Sequence, residues 1–97
     1  ETNFVEIGPV TAFHRDTFGV LVPFPALQMG WGLDAHWSAV ARQHGWRIGV
    51  VDATPILHLN PAAESYPREA AIAEAGAFLD GRPYVRRGEV RTLRRHR

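Results

Sequence analysis

The residues of this chain best suited to acid–base chemistry lie in segment 30–34, which reads GWGLD. Asp34 precedes a helical pattern, and a helix N-terminus favours an ionised carboxylate that can accept a proton from a hydroxyl. Trp31 offers a flat apolar face for a sugar ring, and Gly30 and Gly32 allow a mobile or sharply turned loop. In the structural alternative, Asp34 only caps the helix, Trp31 fills the core and the glycines form a turn.

Three polar residues elsewhere are candidates for a metal site or for supporting contacts. Asp52 ends an apolar run and His58 follows six residues later, so both are expected at the carboxyl edge of a sheet, where a neutral histidine can bind a metal. The alternative is a turn capped by Asp52 and a hydrogen-bonded His58. Glu6 lies in an apolar strand pattern, and alternation predicts that it faces solvent, opposite Val5 and Ile7.

The charges are nearly balanced but unevenly placed. Eleven arginines, no lysine and ten acids give a net charge of +1, and seven of the arginines lie in segment 82–97. This basic tail could bind phosphates of nucleic acid or an anionic membrane, or could simply be solvated. Its one aromatic residue, Tyr84, provides no stacking platform, so nucleic acid is the less favoured partner. The absence of cysteine excludes a disulfide framework and a thiol nucleophile.

The hydrophobic pattern predicts an α/β fold, a partial mixed sheet of about three strands flanked by two or three helices. Strand patterns cover residues 4–13, 46–51 and 56–59, and helical patterns cover 35–44 and 67–80. We expect one domain over residues 1–81, followed by the tail 82–97. So thin a sheet predicts exposed edges and self-association. The composition favours a cytoplasmic location, with the membrane surface as an alternative site for the basic tail.

Two ordered motifs resemble a known family. The resemblance lies in the GWGLD segment, a helix, the run HGWRIGVVD at 44–52 and then the segment 55–58. Together these features resemble the C-terminal, acceptor-side half of GT-A-fold glycosyltransferases of the family 2 type. They also resemble a related group of uncharacterised plant and bacterial proteins. The resemblance covers roughly residues 4–67, and the ordered pair of motifs is more specific than either motif alone. It implies a fragment of an inverting, metal-dependent enzyme.

The resemblance assigns a role to individual residues. It implies that Asp34 is the general base that takes the proton from the acceptor hydroxyl. It implies that His58 is a ligand of a divalent metal, Mn²⁺ or Mg²⁺. Asp52 and Glu6, named above from their local patterns, are candidates for supporting contacts at that site. The acceptor-binding residues that the resemblance implies are Gly30, Trp31, Gly32 and Leu33. The expected partners are a nucleotide-sugar donor and a carbohydrate or other hydroxyl acceptor.

The sequence departs from the family in one respect that limits these expectations. All four aspartates are isolated, so no Asp-x-Asp metal motif is present. We therefore expect the metal and the donor to be bound through a donor half outside these residues, and the chain alone to be inactive. The alternatives are a non-catalytic module that binds a carbohydrate or a protein, and a small nucleic-acid-binding protein that acts through its basic tail.

Overall fold

Three α-helices organise the chain. The computed structural model describes residues 1–57, 59 and 67–96. Its α-helices are α1 (Phe18–Leu21), α2 (Leu33–Gln43) and α3 (Arg68–Leu79), and short 3-10 helices cover Arg15–Thr17 and Arg87–Glu89. The two long helices predicted from the sequence are confirmed, with their ends shifted by one or two residues.

The predicted GT-A-like mixed sheet is wrong. Over the described residues, strand pairing is limited to two antiparallel bridges, which join Thr2 to Ile48 and to Thr92. Runs 4–13 and 46–51 form no strand, and the predicted strand 56–59 includes His58, which lies outside the described residues. Proline has no N–H for a ladder, so Gly8-Pro9 interrupts the first run. That run packs against α2 instead of pairing with a neighbouring strand.

The N-terminal residues are bonded to the backbone of the basic tail. The Asn3 side chain donates to the Glu89 carbonyl at 2.6 Å and accepts from the Arg91 N–H at 2.7 Å. The Thr2 hydroxyl also donates to the Arg91 carbonyl, at 2.9 Å. The Leu93 N–H donates to the Glu1 carbonyl at 2.9 Å. The backbone of segment 89–93 is therefore held in place, while the arginine side chains described in the tail are exposed.

The core forms where α2 meets α3 and the segment that follows α3. Phe78 of α3 is only 6% exposed, and its ring meets the His36 ring of α2 edge-on at 5.5 Å. The Arg82 guanidinium lies 4.5 Å from the centre of the same ring. The Val85 N–H donates to the Ala35 carbonyl at 3.0 Å, which fixes the segment after α3 against α2. Buried apolar side chains of the core are Leu21, Ala39, Val40, Ala41, Ala71, Phe78 and Val85.

A buried hydroxyl fixes the N-terminal run on α2. Ser38 is 4% exposed, and its Oγ accepts the Val5 N–H at 3.3 Å. This hydrogen bond satisfies the Val5 N–H, which in a sheet would be paired with a neighbouring strand. Helix α2 is therefore in contact with α3 and also with the extended run 4–13.

Gly32 is required by both its backbone angle and its surroundings. Its φ is +88°, and a Cβ there would lie 3.2 Å from Leu79 and 3.5 Å from Ala75 of α3. Gly30 has a similar φ of +75°, but no described atom outside its immediate chain neighbours lies within 4 Å of the position that a Cβ would take there. We expect Gly30→Ala to lower the free energy of unfolding by roughly 1 kcal/mol, and Gly32→Ala by more, because it also crowds α3. Urea denaturation measures both variants, and equal losses would show that Leu79 moves aside freely.

Candidate functional site

The loop before α2 is held by a single carboxylate from α3. Glu74 Oε2 accepts the Gln28 N–H at 2.8 Å, and its Oε1 accepts the N–H groups of Met29 at 2.9 Å and Gly30 at 3.2 Å. Three successive backbone donors thus converge on one side chain. The sequence allows a mobile or a sharply turned loop. The positive φ angles of Gly30 and Gly32 make the loop sharply turned, and the bonds to Glu74 tie its first half to α3.

These hydrogen bonds make the stability of the fold depend on pH. The N–H groups of Met29, Gln28 and Gly30 lower the pKa of Glu74, and partial desolvation opposes them. A carboxyl whose pKa is lower in the folded state stabilises the fold above its unfolded pKa. That contribution is lost as the pH falls through the folded-state value.

We expect Glu74→Gln to lower the Tm at pH 7 by roughly 5 °C, because a neutral amide accepts these bonds less strongly. The Tm difference from wild type should shrink as the pH falls below about 4.3, the ordinary glutamate pKa. Glu69→Gln is the matched control, because Glu69 is exposed on the same helix. Thermal melts followed by circular dichroism between pH 7 and pH 3 test this. A constant difference across that range contradicts the role of the Glu74 charge.

Asp34 lies in the first turn of α2 and faces a pocket. The N-cap position belongs to Gly32, and Asp34 Oδ1 accepts the N–H of the neighbouring Ala35 at 2.8 Å. The side chain is half-buried. Among the described hydrogen bonds, Oδ2 of Asp34 makes none. One carboxylate oxygen is therefore used locally, and the other is available to a ligand.

The pocket beside Asp34 lies between α2, the N-terminal run and segment 46–49. Its volume is about 210 Å³. Two aromatic side chains, Phe13 and Trp37, form part of its wall and meet edge-on at 5.3 Å. Phe24 packs behind them, at 4.9 Å from Trp37. The lining residues are Val5, Ile7, Thr11, Ala12, Phe13, His14, Thr17, Leu21, Asp34, Trp37, Ser38, Ala41, Trp46, Arg47, Ile48 and Gly49.

Aromatic walls beside a carboxylate suit a ligand with one apolar face and at least one hydroxyl. The C–H face of a sugar ring packs against an aromatic surface, and a carboxylate is a strong acceptor for a hydroxyl. Binding pockets commonly combine an apolar lining with a few polar groups that orient the ligand. The same carboxylate is placed to take a proton from a bound hydroxyl.

Asp34 lines the pocket, but the other residues predicted to bind an acceptor are not described as lining it. The tryptophans that line the Asp34 pocket are Trp37 and Trp46. Gly30, Trp31, Gly32 and Leu33 are not among its described lining residues, and Trp31 is 39% exposed on the loop. Their role in acceptor binding stays a prediction.

Glu6 and Asp52 are not among the residues described as lining this pocket. Glu6 is exposed, while its neighbours Val5 and Ile7 line the pocket. Asp52 lines a second cleft of about 740 Å³, together with Arg94, Arg95 and His96 among others. His58 lies outside the described residues.

The described residues do not form a metal site. In ranges 1–57 and 67–96, no group of three histidine, cysteine, aspartate or glutamate side chains is placed to hold a metal ion. Asp34 and Asp52 line different cavities. The predicted ligand, His58, lies outside the described residues, so metal binding by this chain stays a prediction.

The comparisons with known proteins add no relative. No family model, curated protein or solved structure matches the chain. The resemblance to family 2 glycosyltransferases therefore stays a prediction. Within the described residues, no helix is both long enough and apolar enough to cross a membrane.

Proposed function

We propose that the chain binds a sugar through the pocket beside Asp34, as the acceptor side of an inverting glycosyltransferase. The observation that carries the proposal is that Asp34 lines a pocket whose wall includes Phe13 and Trp37. The proposal rests on this pocket and on the two sequence motifs, and it does not require the sheet that the sequence predicted.

Asp34 acts on the acceptor in this proposal. The sugar ring packs on the aromatic wall, and one hydroxyl donates a hydrogen bond to Asp34 Oδ2. The oxygen of that acceptor hydroxyl attacks the anomeric carbon of a nucleotide-sugar donor, and its proton passes to the Asp34 carboxylate. The bond between the anomeric carbon and the donor's diphosphate breaks at the same time, and the nucleoside diphosphate leaves. The fixed loop and α2 hold the carboxylate in position, which reduces the motion needed to reach the reactive geometry. The nucleotide-sugar donor and any divalent metal are assigned to residues outside this chain.

A non-catalytic carbohydrate-binding module is the second candidate, because the same pocket supports binding without turnover. The two functions separate when a nucleotide-sugar donor and a donor-binding partner are supplied: the enzyme forms a glycoside, and the module binds sugar without forming one. We place the chain in the cytoplasm, and the exposed arginines of the tail allow contact with an anionic membrane surface.

The proposal is tested by titrating the ¹⁵N-labelled chain with a panel of methyl glycosides. We expect saturable shifts of the indole N–H signals of Trp37 and Trp46, which line the pocket, and a smaller shift at Trp31. Shifts confined to residues of the second cleft, or no saturable shift with any sugar, would contradict it. Binding of nucleic acid that is lost when the exposed tail residues Arg87, Arg91 and Arg95 are changed to glutamine would favour the basic tail instead.

A further inference from the structure

The Thr11 hydroxyl is a buried polar group that the fold does not use. Its Oγ1 is shielded from solvent and has no hydrogen-bond partner in the part of the chain that the structure describes. The other hydroxyls of the pocket are used structurally: Ser38 accepts the Val5 N–H, and Thr17 donates to the His14 carbonyl at 2.7 Å. A buried hydroxyl without a partner is unfavourable, so its retention in a pocket wall calls for an explanation.

Thr11 lines the same pocket as Asp34. A threonine carries its hydroxyl and its methyl group on one Cβ, so rotation about Cα–Cβ moves the hydroxyl to another staggered position. A ligand that offers a hydrogen bond from within the pocket favours the rotamer that reaches it. No structural hydrogen bond of Thr11 among the described residues would have to break for this rotation.

We propose that the Thr11 hydroxyl is the second hydrogen-bonding group of the pocket and selects ligands with two hydroxyls, such as a sugar ring, over simple alcohols. The inference rests on the proposed sugar site. Asp34 Oδ2 accepts from one hydroxyl of the ligand, and Thr11 bonds to another. The two groups together fix how the ring lies on the aromatic wall, and thus which hydroxyl meets Asp34.

The test compares wild type with Thr11→Val, which keeps the shape, and Thr11→Ser, which keeps the hydroxyl. Affinities are measured for a methyl glycoside that binds wild type and for its monodeoxy analogues. We expect Thr11→Val to weaken binding about three- to tenfold and Thr11→Ser to bind like wild type. The deoxy analogue that lacks the hydroxyl bonded by Thr11 should bind wild type about as weakly as the intact glycoside binds Thr11→Val. Its affinity for Thr11→Val should be no lower than its affinity for wild type. The Tm of Thr11→Val should equal or exceed that of wild type, because an unpartnered hydroxyl is removed.

These measurements distinguish failure of the Thr11 role from failure of the sugar site itself. Sugar binding that needs Asp34 but is unchanged in Thr11→Val overturns the role of Thr11 and leaves the site standing. A lower Tm for Thr11→Val with unchanged affinity shows a structural hydroxyl and also overturns it. If no sugar binds wild type, the proposed function fails, and the inference fails with it.

Discussion

Phe78→Ala is expected to lower the free energy of unfolding by about 3 kcal/mol, because it truncates a large buried side chain. Phe78 is 6% exposed, and its ring contacts His36 on α2 and the guanidinium of Arg82. Truncation to alanine leaves a cavity between α2 and α3 and removes both aromatic contacts. Urea denaturation followed by circular dichroism measures the loss.

Ile72→Ala is the matched control for Phe78→Ala. Ile72 lies on the same helix and is 54% exposed, so we expect a loss below about 1 kcal/mol. If the two variants lose equal stability, α3 does not pack on α2 through Phe78. A large loss for Phe78→Ala alone supports the described contact, which also fixes the helix that carries Glu74.

Asp34→Asn is expected to weaken sugar binding by about 10- to 100-fold, because a neutral amide replaces the charged acceptor. With a donor-binding partner present, turnover should fall by ~10²-fold or more, because an amide cannot take the proton. The Tm should change little, since the amide oxygen can still accept the Ala35 N–H that Asp34 accepts now. Isothermal titration calorimetry measures the affinity.

Asp80→Asn controls for the loss of one negative charge. Asp80 is exposed at the end of α3 and is not among the described residues that line the Asp34 pocket. We expect it to bind sugar like wild type. Equal affinity of Asp34→Asn and wild type, with a Tm lowered in Asp34→Asn alone, would show that Asp34 serves only the helix.

The helices could be predicted from the sequence because their signals are local. Val40 and Ala41 fall at helical spacing and are buried, and Gly45 follows the end of α2 with a φ of +67°. On α3, Ala71 and Phe78 are buried, whereas the equally apolar Ile72 is exposed. A helical pattern shows that a face is apolar, but the partner elements decide which of its residues are covered.

The sheet could not be predicted correctly because strands depend on distant partners. The run 46–51 has the β-branched composition of a buried strand, yet Val50 and Val51 are 65% and 71% exposed. Strand preference reflects packing against neighbouring strands more than an intrinsic property of the residues. In this structure the run meets the N-terminal segment through the backbone bridge of Ile48 with Thr2 and through the Arg47 side chain, which donates to Glu1 Oε2 at 3.1 Å.

The candidate site was only partly visible in the sequence. The place of Asp34 before a helical pattern predicts a functional carboxylate, but the tryptophans that line its pocket are Trp37 and Trp46, and not Trp31. Glu74 and Thr11 were missed, because each gains its meaning from a contact or a missing partner across the fold. The one local signal for Glu74 was a carboxylate within an otherwise alanine-rich helix.

The most direct test of the sugar site is a search for intermolecular NOEs between a bound methyl glycoside and the aromatic side chains. The account predicts NOEs from the sugar ring protons to the rings of Phe13 and Trp37, and their loss in Asp34→Asn at the same sugar concentration. NOEs instead to Phe4 and His96, which line the second cleft, would contradict it. So would the absence of any NOE from a sugar that the chain binds.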